Sequence, residues 1–118
     1  MDSEEFVAQH FDQLPGKPKL ICHQFRIHGG ALDILAQYPN GDFLIVEVKT
    51  GIISEYGWIQ LLRYCGALLE HLRLLGDSRP VKGLLIGKSL DERATFIFKA
   101  LPRKTYQFLP LTELGWEE

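Results

Sequence analysis

The spacing of hydrophobic residues changes period several times along the chain, and each change marks an element. Phe6, Val7, His10, Phe11 and Leu14 recur at helical spacing behind Asp2, with Glu5 three residues further on as in a capping box. A short first helix is expected there, ended by Pro15-Gly16. Residues 20–27 alternate in part and read as a strand. Residues 30–35 and 43–49 are β-branched and aliphatic runs joined through Pro39-Asn40-Gly41, which is hairpin chemistry. After a connection at residues 50–54, Trp58, Leu61, Leu62, Cys65, Leu68, Leu69, Leu72 and Leu75 fall at i, i+3, i+4 and i+7. They predict a long helix over about residues 55–75 whose apolar stripe is core.

Residues 76–80 break that helix, and residues 81–86 form a short buried strand. Ser89, with Glu92 three residues on, is expected to cap a third helix carrying Ala94, Ile97, Phe98 and Leu101 on its apolar face. Pro102 stops it. Residues 106–111 read as a final strand, at an edge because Pro110 has no N–H to give a ladder. The acidic tail, residues 112–118, is expected to be loosely held. The order helix, three strands, long helix, strand, helix, strand implies a single α/β domain over residues 1–118, with helices on both faces of a mixed sheet.

Three acid-base residues interrupt the hairpin's apolar runs. If residues 39–41 form a three-residue loop, Tyr38 pairs with Asp42, and counting back sets Asp33 opposite Glu47 on one face, about 5 Å apart at Cβ. Lys49, two residues beyond Glu47, shares that face. A loop one residue shorter would send Asp33 to the other face. Two carboxylates this close repel unless a cation lies between them, and Mg²⁺ takes one or two carboxylates along with water and substrate phosphate. With an ammonium alongside, Asp33, Glu47 and Lys49 supply the parts for metal-assisted phosphodiester hydrolysis. A Glu-x-Lys on a strand also occurs on solvated faces, but Leu35, Phe43 and Ile45 on one face and Ile34, Leu44, Val46 and Val48 on the other leave neither face polar.

Composition adds bounds. The chain has 118 residues, 46% apolar and 24% charged, the size and make-up of one globular domain, and no apolar run approaches a membrane span. No second domain, no membrane association and a cytoplasmic location are expected. Cys22 and Cys65 lack zinc-ligand spacing and read as core or near-core thiols. The net charge of −2 conceals an asymmetry: without the acidic ends, residues 1–12 and 113–118, the middle holds 13 basic and 8 acidic residues. A net of +5 there suits a phosphate-binding surface. Arg26, His23, His28 and Arg63 are candidate phosphate contacts, the histidines having a structural alternative. Gln60 and Tyr64 stack at i, i+4 along the flank of the long helix's stripe, where they can meet substrate or site water or simply form a polar edge. Glu5 can serve as a cap partner or lean toward a metal.

Asp33, then Glu47-Val48-Lys49 after a hairpin, resembles the PD-(D/E)xK nuclease motif, and Gln60-Leu61-Leu62-Arg63-Tyr64 resembles the QxxxY motif of its RecB-like branch. The run from about Glu5 to Leu111, including Val46-Glu47-Val48-Lys49 and Gly83-Leu84-Leu85-Ile86, is similar to the C-terminal nuclease domain of the NucS mismatch endonucleases. The resemblance implies a restriction-endonuclease-like fold, an αβββαβ core plus a further helix and edge strand, and Mg²⁺- or Mn²⁺-dependent DNA cleavage. It implies that Asp33, Glu47 and the Val48 carbonyl hold metal, that Lys49 positions water, that Gln60 and Tyr64 assist, and that Glu5 is the acid of the amino-terminal helix. NucS proteins also carry a separate DNA-binding and dimerisation domain, so the resemblance carries over neither mismatch specificity nor a mode of dimerisation. Gly30-Ala31-Leu32 stands where the family often has a basic residue. The expected function is a metal-dependent endonuclease acting on DNA, as a homodimer or with a separate substrate-binding partner. The alternatives are a ribonuclease of the same fold and an inactive module that binds nucleic acid or protein.

Overall fold

Alternating aliphatic residues in the middle of the chain build the sheet on which everything else is mounted. In the computed structural model, which describes residues 1–117, β1 (Lys19–Ile27), β2 (Gly30–Gln37) and β3 (Phe43–Val48) follow one another antiparallel. β5 (Val81–Gly87) lies parallel to β3, and β7 (Tyr106–Pro110) parallel to β5, giving the order β1-β2-β3-β5-β7. Pro110 sits on the edge strand, as its missing N–H requires.

Helices cover both faces. On one side α2 (Glu55–Leu74) and α3 (Glu92–Ala100) bury Leu35, Ile45, Leu61, Cys65, Leu68 and Leu85. Trp58 is wholly buried there, donating through Nε1 to the Ala94 carbonyl at 3.0 Å and stacking on Phe98. On the other side α1 (Ser3–Gln9), a 3₁₀ turn at Phe11–Gln13 and another at Leu111–Leu114 close over Ile34, Ala36, Leu44, Val46 and Ile86. Among the described residues no helix is long and apolar enough to cross a membrane.

The hairpin has the three-residue loop expected. Tyr38 N–H donates to the Asp42 carbonyl at 2.9 Å, Gly41 N–H donates to the Tyr38 carbonyl, and Gly41 has φ +99°, which a Cβ would oppose. The β2–β3 register, Gln37↔Phe43 through Ile34↔Val46, is the one that sets Asp33 toward Glu47.

Four expectations need correction. Two short strands went unread: β4 (Ile52–Ile53), in the connection after Lys49, pairs with β6 (Ser89–Leu90). Ser89 therefore lies in a strand, and the α3 cap is Asp91, whose Oδ1 accepts from Ala94 N–H at 2.9 Å. Leu69 on α2 and Leu75 just past its end are exposed and Tyr64 is buried, so the core-facing stripe is rotated toward Tyr64. The tail is not loose: Leu111 and Leu114 are core, and Trp116 packs edge-on against Phe6, while Glu118 lies outside the described residues. Cys65 is buried, and burial, with the Glu47 charge added, pushes its thiol up to about 12, whereas Cys22 is half-buried.

Candidate active site

Beyond Ile34↔Val46 the β2–β3 ladder stops joining backbone to backbone. Asp33 N–H donates to Glu47 Oε2 at 2.7 Å, and Val48 N–H donates to Asp33 Oδ2 at 2.8 Å. Each carboxylate thus accepts from the other strand's main chain. The clasp fixes one oxygen of each acid and leaves the other with a long contact: Asp33 Oδ1 lies 3.4 Å from Gln24 Nε2, and Glu47 Oε1 lies 4.0 Å from Lys49 Nζ.

Glu47 is 1% exposed. Burial pushes its carboxyl up to about 7; the Asp33 and Glu4 charges push the same way, and the Asp33 N–H and the Lys49 ammonium oppose. A carboxylate held so reluctantly in its charged form has much to gain from a cation. The donor set, two carboxylates and the nearby Val48 backbone, is all oxygen and suits Mg²⁺ or Mn²⁺ better than a soft metal. Among the described residues no three His, Cys, Asp or Glu side chains are grouped to enclose a metal.

Lys49 follows β3, its N–H anchored on the Ile86 carbonyl at 2.8 Å, and its Nζ donates to Gln60 Oε1 at 2.5 Å. Gln60 lies on the second turn of α2, facing the end of the strand, so the helix amide holds the ammonium beside Glu47. Tyr64, one turn further, is 7% exposed, and a Cβ at Gly30 would come within 2.7 Å of its hydroxyl. It props β2 from beneath and is not open to solvent. Arg63 is exposed and, with Lys49, Gln60, Tyr56, Ile52 and Ile59, lines a cleft of about 550 Å³. Tyr56, 70% exposed at the mouth of this cleft, was not singled out in the sequence. Arg26 and His28 are exposed on β1 and in the turn after it, and neither lines that cleft.

The helix acid at the site is Glu4, not Glu5. Glu5 is exposed and offers its N–H to the Asp2 cap at 2.8 Å. Glu4 accepts from Gln24 Nε2 at 3.0 Å, and burial, followed by the Asp33 charge, raises its pKa. His23 Nδ1 lies 3.4 Å from the other Glu4 oxygen. The helical period over seven residues gives no means of choosing between neighbouring glutamates. What selects Glu4 is the β1 residues it meets.

Solved structures share this architecture. The domain superposes on EndoMS in a complex with dsDNA with a TM-score of 0.73 at 21% identity, covering 90% of this chain and 41% of that one. It matches a repair endonuclease from Pyrococcus abyssi with a TM-score of 0.72 at 23% identity, covering 93% and 47%. The class defined by these superpositions is one of fold, an α/β domain shared with both structures. Within that class, the chain belongs to the endonuclease NucS C-terminal domain family, whose model matches residues 1–110. Endonuclease NucS of Sulfolobus acidocaldarius is 24% identical over 100 residues, which cover 85% of this chain. The chain spans about 38% of the length of that relative.

Proposed function

We propose that this chain is a divalent-metal-dependent endonuclease domain that hydrolyses DNA phosphodiester bonds. The observation carrying this reading is the clasp of Asp33 and Glu47, which ties one oxygen of each acid to the other strand's backbone and leaves the second oxygen outside the clasp, with the Lys49 ammonium 4.0 Å from that of Glu47. Asp33, Glu47 and the Val48 carbonyl would hold Mg²⁺ or Mn²⁺, which supplies Lewis-acid activation of water and neutralises phosphate charge. Lys49 donates to the attacking water or to a non-bridging phosphate oxygen, stabilising the charge that develops in the transition state. Gln60 keeps Lys49 in place, and Tyr64 supports β2 at Gly30. Arg63 binds a neighbouring phosphate in the cleft, and Tyr56 offers an aromatic face to a base. Arg26 and His28 would contact the strand farther out. Family membership and the dsDNA complex of the EndoMS relative support DNA as the substrate. A homodimer or a separate partner would supply further substrate binding.

The test is cleavage of labelled DNA and RNA, side by side, by the purified chain with Mg²⁺ or Mn²⁺. DNA should be cut, chelation should stop it, and Lys49→Ala should lower the rate at least a hundredfold while leaving the melting temperature within a few degrees. Metal-independent cutting, equal activity in Lys49→Ala, or cleavage of RNA alone would refute the proposal.

A further inference from the structure

β1 changes face in its middle. Cys22, Phe25 and Ile27 all pack toward α2, although an unbroken strand would send Cys22 and Phe25 to opposite faces. The switch falls at Gln24, whose φ of +49° lies in the left-handed region, a conformation strained for a residue with a Cβ. Facing it, β2 makes the same switch: Leu32 and Leu35 pack on the α2 side, while Ile34 lies on the other. The pairs His23↔Ile34 and Phe25↔Leu32 set Gln24 across from Asp33.

The double switch has a chemical result. His23 and Gln24 emerge together beside α1, and one amide, Gln24 Nε2, lies between two acids, 3.0 Å from Glu4 Oε1 and 3.4 Å from Asp33 Oδ1. Without a donor between them these carboxylates repel. Backbone strain in the middle of a strand persists where the surroundings use it, and here its use is to aim the amide. Asparagine or glycine would relieve the strain, but neither reaches both carboxylates.

We propose that Gln24 is a positioning residue of the metal site: its left-handed backbone turns the amide toward Glu4 and Asp33, and the amide sets the orientation of Asp33 and holds Glu4 clear of the ion. The inference rests on Asp33 and Glu47 binding a divalent cation. Groups that orient ligands from behind are typically worth ten- to a hundredfold in metal affinity.

Gln24→Gly and Gln24→Asn separate the amide from the backbone, since both residues accept positive φ readily. Calorimetric titration of the full chain with Mn²⁺ should give at least tenfold weaker binding for both variants. The melting temperature of the metal-free variants should be unchanged or higher. Equal Mn²⁺ affinity in wild type and variants overturns the role of Gln24 and leaves the proposed metal site standing. A lower melting temperature with unchanged affinity makes the residue merely structural and overturns the role too. No Mn²⁺ binding by the wild type overturns both this role and the metal site beneath it.

Discussion

The buried Glu47 carboxyl makes the metal-free protein sensitive to pH, and the sign follows from its raised value. Below about pH 4.5 the group is protonated in folded and unfolded chains alike and has no effect. Between there and about 7 the unfolded chain releases its proton while the folded one retains it, so stability falls as pH rises, and above 7 the loss is complete. At 1.36 kcal/mol per pKa unit the full loss is on the order of 3 kcal/mol. Glu4, also raised, adds in the same direction. Glu47→Gln keeps an oxygen for the Asp33 N–H and removes the charge. It should therefore raise the metal-free melting temperature at pH 8 and leave it nearly unchanged at pH 4. A variant less stable than wild type at pH 8 would show that the charge is already compensated. Because cation and proton compete for Glu47, Mn²⁺ affinity should decline as pH drops below 7.

At the level of elements, what the sequence made legible were features with strong local causes. Pro39-Asn40-Gly41 determines the hairpin loop, and the loop determines that Asp33 faces Glu47. The kink through Gln24 and Asp33 was not legible, because nothing in a glutamine favours positive φ; tertiary contacts impose it. β4 and β6 are two residues each, too short for alternation to register. The rotation of α2 has a similar origin. Its apolar residues cover a wide arc, and the sheet and α3, not the helix's own pattern, decide which of them are buried. That packing brings the Tyr64 hydroxyl against Gly30, so Gly30→Ala should displace the ring and destabilise the fold by about 1–3 kcal/mol. Removing the hydroxyl with Tyr64→Phe should recover part of that loss in the double variant, as measured by urea denaturation. Additive losses would mean that the two sites do not touch in solution.

Over the whole molecule, the two faces of the sheet carry different duties. The α2 face holds Lys49 through Gln60 and props β2 through Tyr64; the α1 face brings Glu4 to Gln24 and is sealed by the chain's last turn. The acidic tail thus supports the element that carries one of the site's acids, since acidic residues around Leu114 and Trp116 hide two apolar anchors. Leu114→Ala should cost about 2–4 kcal/mol in denaturant unfolding. An effect under 0.5 kcal/mol would mean that the last turn is not part of the cooperative fold.

All of the chemistry proposed here depends on the free oxygens of Asp33 and Glu47 sharing one cation. Anomalous diffraction from a crystal soaked in Mn²⁺ tests this directly. One strong peak is expected within about 2.5 Å of Asp33 Oδ1, Glu47 Oε1 and the Val48 carbonyl, with Lys49 still bound to Gln60. A saturating soak that leaves no peak there, with both carboxylates still clasped to the opposing backbone, would contradict it.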